Sequence, residues 1–382
     1  MKYRTLGRTG LNVSEIGMGC EGFVDQPFEV VNAYLDEMEK LGMNIIDLYS
    51  PDPAIRAHLG RAMEGRREKF ILQAHLCTVW KDGQYKRTRD IDEVRTSFEN
   101  QFELLCTDYV DIGMIHYVDA LTDWENVVNG PIMQQALQWK KEGRIRFIGM
   151  STHNPQVGLK VIEGGIVDVI MFSVNPCYDL QPAGENVEDL WSAEAYEQPL
   201  LNMDPERQTF YETCERENIG ITVMKAFGGG DLLNAAISPA GAALTENQCI
   251  HYALGRPGVA TVLCGAKSME QLRTDAAYDQ ASEEERDYAS ALAAFPKISW
   301  KGHCMYCGHC APCPVGISVA DVTKYLNLAI AQGEVPETVR EHYAVLPHKA
   351  GECVQCGACE SRCPFGVEIR KNMKKAEGVF GA

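Results

Sequence analysis

The chain has 382 residues, 15 cysteines and a formal net charge of −17, and this length predicts two domains rather than one. The negative charge argues against nucleic acid and against an anionic membrane surface as partners, because both would repel it. The sequence contains neither a bilayer-spanning apolar run nor the apolar segment of a signal peptide, so we expect a cytoplasmic protein whose thiols stay reduced.

Strands and helices alternate through the first part of the chain, where short apolar runs are followed by amphipathic stretches. The predicted strands are Glu15–Gly19, Asn44–Leu48, Lys69–His75, Tyr109–His116, Ile145–Ser151, Val167–Val174, Gly220–Ala226 and Val259–Gly265. Eight such repeats within about 280 residues predict an α/β fold, a (β/α)8 TIM barrel. A short hairpin around Gly7–Gly10 is expected to close its floor. A doubly wound open sheet is the alternative. Gly17, Gly19 and Gly22 have the spacing of its GxGxxG fingerprint, but eight repeats favour the closed barrel.

The character of the sequence changes near residue 300. One further helix, Ser282–Ala294, is predicted after the barrel, and Pro296 is expected to close it. After Trp300 come cysteine pairs, turn residues and two short predicted helices, Val319–Ala331 and Glu337–Ala344. We therefore expect a barrel over residues 1–281, a linker helix over 282–299, and a small α+β ferredoxin-like iron–sulfur domain over 300–382.

Eight cysteines form two runs, and each run ends in Cys-Pro. The first run contains Cys304, Cys307, Cys310 and Cys313, and the second contains Cys353, Cys356, Cys359 and Cys363. In two-cluster ferredoxins the fourth cysteine of a run ligates the other cluster. We therefore predict two [4Fe–4S] clusters, one held by Cys304, Cys307, Cys310 and Cys363, the other by Cys353, Cys356, Cys359 and Cys313. A pair of zinc sites is the alternative. The remaining seven cysteines show no ligand spacing and are expected to be mostly buried apolar residues.

Polar residues stand where the predicted strands end. Barrel enzymes carry their catalytic groups at the C-terminal ends of the strands. The residues predicted there are Asp47, His75, His116, Ser151, Thr152, His153, Asn175 and Lys225. Each one alone is as often a hydrogen-bonded structural residue as a catalytic one, but together they predict a polar mouth.

From Arg4 to about Tyr278 the sequence resembles the aldo/keto reductases. The matching segments are Arg4–Ser14, Asn44–Asp47, Leu59-Gly60, Asp108–His116, Ile148–Ser151 and Gly265–Leu272. Together with the ferredoxin-like tail, they resemble a bacterial branch of that family. The resemblance implies hydride transfer from NADPH to a carbonyl group. In the family a Tyr donates the proton, a Lys lowers the pKa of that Tyr, an Asp pairs with the Lys, and a His orients the substrate.

Two members of this tetrad match and two do not. Asp47 and His116 occupy the Asp and His positions, whereas Asp52 stands where the Tyr is expected and His75 where the Lys is expected. Tyr49 offers a phenol nearby, but at a different spacing. An exposed Asp is ionised at pH 7 and has no proton to donate, whereas a His titrates nearer neutrality. We interpret the site as altered chemistry, with a His75–His116 pair that Asp47 orients.

The resemblance also implies a nucleotide site at two loops, Lys225–Gly230 and Gly265–Ser268. Glycines beside a lysine suit a phosphate, because backbone N–H groups can approach it closely. A glycine turn needed only by the backbone is the alternative. The predicted contacts of an NADP or flavin nucleotide are Ser151, Asn175, Lys225, Gly228, Gly229, Gly265, Lys267 and Ser268. The family's Glu-Asn adenine contact is replaced by Thr274-Asp275.

Three functions are compatible with these observations. The favoured one is an iron–sulfur oxidoreductase that passes electrons between two [4Fe–4S] clusters and a small-molecule substrate at the barrel mouth, with or without a nucleotide, served by a redox partner protein. An NADPH-dependent carbonyl reductase with a ferredoxin appendage would need the absent Tyr and Lys. A non-catalytic electron-transfer or docking protein on a disabled barrel predicts an empty mouth. Fold alone decides weakly among them.

Overall fold

The structure is a computed structural model, and it describes residues 1–192, 194–196, 200–295, 298–299, 301–332 and 335–381. Pro296 and Trp300, which mark the predicted domain junction, lie outside the described residues. The strands are β1 (Tyr3–Thr5), β2 (Asn12–Ser14), β3 (Ile16–Gly19), β4 (Ile45–Leu48), β5 (Ile71–Leu76), β6 (Thr78–Lys81), β7 (Gln84–Arg87), β8 (Val110–Ile115), β9 (Ile145–Thr152), β10 (Val169–Ser173), β11 (Leu200–Leu201), β12 (Gly220–Met224), β13 (Val259–Cys264) and β14 (Ile298–Ser299).

Eight parallel strands close into a barrel in the order β10-β12-β13-β3-β4-β5-β8-β9. This confirms the predicted (β/α)8 fold, and each predicted apolar run overlaps one barrel strand, although β5 and β9 extend one residue beyond their runs. The strands are short and nearly continuous runs of buried residues, because side chains on one face fill the barrel and those on the other meet the helices. β1 and β2 form the predicted antiparallel hairpin, with Tyr3 paired to Ser14.

Side chains cap the start of some of the helices but not of others. The helices are α1 (Phe28–Leu41), α2 (Pro53–Ala62), α3 (Ile91–Leu104), α4 (Leu121–Asn129), α5 (Pro131–Lys141), α6 (Pro155–Glu163), α7 (Pro205–Arg216), α8 (Glu246–Leu254), α9 (Met269–Ala277), α10 (Tyr288–Ala293), α11 (Val319–Gln332), α12 (Glu337–Ala344), α13 (Ala358–Arg362) and α14 (Ile369–Phe380). Thr245 and Gln248 form a capping box at the start of α8, which satisfies backbone donors that the helix leaves unpaired.

The predicted linker helix over Ser282–Ala294 is wrong in its first half. The helix α10 begins only at Tyr288, because the carboxylate of Asp287 accepts from Ser290 N at 2.9 Å and caps it there. Before it, Ser282 Oγ accepts from Glu285 N at 3.2 Å and holds a separate turn. These side chains offer the backbone local hydrogen bonds that compete with a continuous helix. After α10, β14 pairs in parallel with β11 of the loop that follows β10.

The segment after residue 301 packs as a small helical unit around its cysteines. Helices α11 and α14 pack against each other, and Tyr343 of α12 stacks on Phe380 of α14 with ring centroids 4.0 Å apart. An ion pair of 2.7 Å joins Lys324 of α11 to Glu215 of α7 on the barrel. Within the described ranges, no helix is both long enough and apolar enough to cross a membrane.

Candidate active site

Three of the predicted catalytic side chains meet at the mouth of the barrel. Asp47 lies in β4, His75 in β5, and His116 directly follows β8, and these three strands are neighbours. His75 Nε2 lies 2.9 Å from Asp47 Oδ1, and His75 Nδ1 lies 2.7 Å from His116 Nδ1. Asp47 and His75 are each 2% exposed. The three side chains therefore form one continuous hydrogen-bonded chain that runs from the barrel interior toward its mouth.

A fourth member of this chain, Tyr85, was missed by the sequence analysis. It lies on the β6–β7 hairpin, which turns at Asp82-Gly83 with φ angles of 57° and 73°. The phenol oxygen of Tyr85 lies 2.6 Å from His116 Nε2, and the side chain is 38% exposed. Tyr85 thus connects the histidines to the solvent-exposed surface of the hairpin. An Asp-Gly pair between two extended segments is a known hairpin signal, and it was available in the sequence.

Polar contacts hold both ends of the chain in place. At the inner end, Gln73 Nε2 donates to Asp47 Oδ1 over 2.6 Å, and Gln73 Oε1 accepts from Thr222 Oγ1 over 3.1 Å. At the outer end, the guanidinium of Arg89 donates to the backbone carbonyl of His116. Neighbours that hold a side chain in one rotamer reduce the conformational entropy that is lost when the side chain takes up its reactive geometry. The histidine rings are therefore held in position before any substrate arrives.

The local environment sets the protonation of the outer members. Burial lowers the pKa of His116 well below its usual value, and the neighbouring His75 lowers it further. Burial raises the pKa of Tyr85, and the nearby Tyr117 adds to this effect. At neutral pH, His116 is therefore an uncharged ring that can pass a proton along, and Tyr85 is a protonated phenol that can donate one.

The other two predicted catalytic residues lie beside this chain. The ring of Tyr49 packs edge-on against Tyr85 with centroids 6.4 Å apart, and burial raises its pKa. The carboxylate of Asp52 accepts a hydrogen bond of 2.8 Å from Ala54 N and caps α2. The structure therefore places Tyr49 in the aromatic wall of the mouth, and it gives Asp52 a structural role at a helix start.

A second histidine–carboxylate pair borders the mouth. His153 Nδ1 lies 2.9 Å from Asp119 Oδ2, and the backbone N of His153 donates to Asp119 Oδ1 over 2.7 Å. The ring of Tyr117 stands between the two histidine sites, with its centroid 5.2 Å from His116 and 5.4 Å from His153. The guanidinium of Arg87 covers Tyr117 at 4.1 Å. The mouth is therefore lined by aromatic rings with a cation at its rim.

The residues predicted to bind a nucleotide lie on the same face, and several are engaged internally. Lys225, Gly228 and Gly229 have positive φ angles and form a turn, and Gly265 and Lys267 are exposed. Two side chains of the set form internal hydrogen bonds: Asn175 Nδ2 donates to Lys225 O over 2.9 Å, and Ser268 Oγ accepts from Gln271 N over 3.1 Å. Within the described part of the chain, Ser151 Oγ is buried without a hydrogen-bond partner.

Two acidic residues, Glu21 and Asp275, lie at or near these loops. The carboxylate of Glu21 lies so close to Gly265 that a Cβ added there would be 3.1 Å from Glu21 Cδ. Burial raises the pKa of Glu21, whose Oε2 has no hydrogen-bond partner among the described residues. Asp275, at the family's adenine position, is 3% exposed and cannot reach a ligand on the surface. These residues fit a full dinucleotide poorly.

We expect Glu21→Gln to bind NADPH about tenfold more tightly than the unaltered protein, because a buried carboxylate at a phosphate site repels the ligand. A fluorescence titration with NADPH measures this affinity. Glu29→Gln, which neutralises an exposed carboxylate in the first turn of α1, is the control for overall charge. Equal affinity in Glu21→Gln and the unaltered protein would show that Glu21 does not oppose the nucleotide.

The eight cysteines of the two runs gather at two cavities. The first cavity is lined by Cys304, Cys307, Cys310 and Cys363, and the second by Cys313, Cys353, Cys356 and Cys359. Each cavity thus draws its fourth cysteine from the other run. Of the remaining seven cysteines, Cys106 is exposed, and Cys20, Cys77, Cys177, Cys214, Cys249 and Cys264 are buried.

The thiols suit a cluster better than a single ion. Burial raises the pKa of Cys304 to about 12 and that of Cys310 to about 11, so thiolates form there only when a cationic group compensates them. Within the described residues, no three His, Cys, Asp or Glu side chains are grouped as ligands of one metal ion. Four thiols around a space larger than a single metal ion needs are typical of an iron–sulfur cube, and this arrangement argues against the zinc alternative.

Comparison with known proteins agrees with this arrangement. Residues 15–247 match the model of the Aldo/keto reductase family. The chain belongs to the aldo/keto reductase family. Residues 301–367 of this reductase match a 4Fe-4S dicluster domain, so its C-terminal part is an iron–sulfur domain. With these two assignments, the protein is an oxidoreductase of aldo/keto reductase type.

Individual relatives resemble mainly the barrel of this aldo/keto reductase. The chain is 26% identical over 318 residues to "Uncharacterized oxidoreductase YqkF" of Bacillus subtilis, covering 79% of this chain and 99% of the relative. It is 32% identical over 183 residues to L-galactose dehydrogenase of Arabidopsis thaliana, covering 45% of this chain and 56% of the relative. The aldo-keto reductase AKR11C1 from Bacillus halodurans has the same fold, with a TM-score of 0.59 at 21% identity over 75% of this chain and 94% of its own.

Proposed function

We propose that this aldo/keto reductase is an iron–sulfur-dependent oxidoreductase that reduces a small carbonyl compound at the mouth of its barrel. In this proposal the barrel (residues 1–281) binds and protonates the substrate, residues 282–299 join the parts, and residues 300–382 serve electron transfer with a redox partner protein. The observation that carries the proposal is the hydrogen-bonded chain of Asp47, His75, His116 and Tyr85, called the proton relay below.

The cysteine cavities provide the second half of the proposal. Cys304, Cys307, Cys310 and Cys363 would hold one [4Fe–4S] cluster, and Cys313, Cys353, Cys356 and Cys359 the other. Bound clusters of this kind supply transfer of single electrons. The protein's own contribution at the barrel is to bind the substrate, exclude water around it and deliver protons.

Hydrogen-bond roles along the proton relay follow from the chemistry of its members. A carboxylate only accepts, so His75 Nε2 donates to Asp47. In the neutral relay, His75 Nδ1 then accepts from His116 Nδ1, and His116 Nε2 accepts from the Tyr85 hydroxyl. These tautomers are assigned from the network of contacts. In this state the phenol proton points inward, so Tyr85 cannot donate it to a substrate.

One added proton at His75 reverses every bond in the relay. An imidazolium at His75 remains paired with the carboxylate of Asp47, and its Nδ1–H donates to His116 Nδ1. His116 Nε2–H then donates to the oxygen of Tyr85, whose O–H is free to face a substrate oxygen. When Tyr85 donates its proton, His116 reprotonates it and His75 returns to the neutral form. Each pass through the relay delivers one proton, and Asp47 keeps its charge throughout. Reduction of a carbonyl group to an alcohol by two single electrons consumes two protons, so the relay passes twice per turnover and His75 takes up a proton from solvent before each pass.

This arrangement explains how the barrel could work without the family's Tyr and Lys at their usual positions. His75, in place of the Lys, is the group that holds the proton beside Asp47. Tyr85, supplied from the hairpin rather than from the loop after β4, is the phenol that donates it. The proton donor is therefore a phenol, as in the family, but it comes from a different structural element.

We expect Tyr85→Phe to lower kcat about a hundredfold, because the relay loses its terminal donor while water can still reach His116. Turnover is measured anaerobically with reduced methyl viologen as donor and a panel of small aldehydes, ketones and quinones. Tyr3→Phe is the matched control, since Tyr3 is exposed on the floor hairpin and its hydroxyl donates to Gly42 O. If Tyr85→Phe and Tyr3→Phe both keep full activity on every accepted compound, Tyr85 is not the donor.

A further inference from the structure

A buried arginine on the barrel faces the first cysteine cavity. Arg256 lies between α8 and β13 and is 2% exposed. Its Nη2 donates to the carbonyl of Met305 over 2.6 Å, and the hydroxyl of Tyr288 donates to the same carbonyl over 2.6 Å. Met305 lies between Cys304 and Cys307 and itself lines that cavity. The guanidinium of Arg256 is therefore fixed against the backbone of the first cysteine run.

Among the described residues, Arg256 forms no direct ion pair. The buried carboxylate of Asp179 favours its charge from farther away, but that carboxylate is already engaged by Tyr211 and Tyr252. Its guanidinium lies over the ring of Tyr252 at 4.6 Å and over that of Tyr306 at 5.6 Å. Across the part of the chain that the structure describes, its buried Nη1 has no hydrogen-bond partner. A buried cation without an anionic partner is costly, and such charges are normally paired or bound to a ligand. The unpartnered Nη1 therefore points to an anion that the protein is built to hold nearby.

The adjacent cavity supplies that anion when four cysteines there are thiolates. We infer that Arg256 is the counter-charge of the cluster held by Cys304, Cys307, Cys310 and Cys363, and that it raises the reduction potential of this cluster above that of the other. The inference rests on the proposed cluster-dependent function. Reduction adds one negative charge, so a fixed cation in a low-dielectric setting favours the reduced form.

Among the described residues that line the second cavity, no cation is buried. Arg370 is among its lining residues, but the side chain is 50% exposed and forms an ion pair of 2.7 Å with Glu360. An exposed and paired charge contributes little because solvent and its partner screen it. Cys356 of the second cavity is itself exposed. An electron delivered to the second cluster by a one-electron carrier protein would therefore move downhill to the first cluster. The first cluster is the one beside Arg256 and the barrel.

The test is a redox titration of the anaerobically purified protein, followed by electron paramagnetic resonance. We expect Arg256→Met to lower the midpoint of one cluster while the other stays unchanged. The ratio of reduced to oxidised cluster at a fixed potential should fall about tenfold, which is a shift of about 59 mV for a one-electron couple. Arg256→Lys keeps the charge and should retain most of the native midpoint. Arg370→Met should shift neither midpoint appreciably.

Three results would overturn the inference: unchanged midpoints in Arg256→Met with full iron content, an equal shift in Arg256→Lys, or an equal shift in Tyr288→Phe, which loses hydrogen bonds but no charge. If Arg256→Met does not fold, Arg256→Gln tests the same charge. The readout also separates the two proposals. Unchanged midpoints in an iron-loaded variant would reject only the inference about Arg256. If the unaltered protein contains no iron after anaerobic purification, the proposed function itself is rejected.

Discussion

Replacement of His75 by glutamine is expected to lower kcat about a thousandfold, within the range that general acid–base groups contribute. Glutamine can still donate to Asp47, so the buried carboxylate keeps a partner and the barrel remains folded. It cannot take up a proton at one atom and release it at another, so the proton relay is broken at the residue that stores the proton. The measurement is anaerobic turnover with reduced methyl viologen and the carbonyl panel.

The matched control for this variant is His342→Gln, which changes an exposed histidine on α12. Iron content should equal that of the unaltered protein in both variants, which separates loss of proton transfer from loss of the clusters. Full activity of His75→Gln would contradict the proposed relay. It would leave the barrel either as a reductase that draws its proton from water or as a scaffold for electron transfer.

Asp179→Leu is expected to lower the free energy of unfolding by about 3–5 kcal/mol, the cost typical of removing one member of a buried charge pair. Asp179 is fully buried, and its two oxygens accept hydrogen bonds of 2.6 Å from the hydroxyls of Tyr211 and Tyr252. The buried guanidinium of Arg207 lies 3.9 Å away. Without the carboxylate, both hydroxyls and the guanidinium lose their shared partner inside the protein.

Urea unfolding under anaerobic conditions, followed by near-ultraviolet circular dichroism, measures this loss as a lower midpoint at an unchanged slope. Asp92→Ala is the control, because Asp92 has a side chain that is 89% exposed and pairs only with Arg95. That variant should change stability by less than about 0.5 kcal/mol. A midpoint for Asp179→Leu equal to that of the control would show that the buried network adds no stability.

The barrel and its central residues could be predicted because their signals are local. Apolar runs of strand length recur with helices between them, and parallel strands in a barrel all end at one face. Asp47, His75 and His116 stand at such ends, so their proximity followed from the fold alone. The cysteine pairs carry their spacing in the sequence itself, and the structure gathers them into the two predicted sets of four.

What the sequence analysis missed depends on contacts between distant segments or on competing caps. Tyr85 reaches His116 only because the β6–β7 hairpin folds over the mouth. The pair Asp82-Gly83 indicates a hairpin in the sequence, but it does not indicate where that hairpin packs. The helix expected from Ser282 was shortened by the cap at Asp287. Arg256 meets Met305 across 49 residues of sequence, and no periodicity reports such a pair.

One experiment tests the proposed coupling of the cysteine domain to the barrel most directly. The purified protein is reduced, freed of excess reductant, and mixed with each carbonyl compound while the absorbance of the reduced clusters is followed. The proposed function predicts about eight iron per chain and, for at least one compound, rapid reoxidation that His75→Gln slows about a thousandfold. Reoxidation at equal rates in both proteins, or no reoxidation by any compound of the panel, would contradict it.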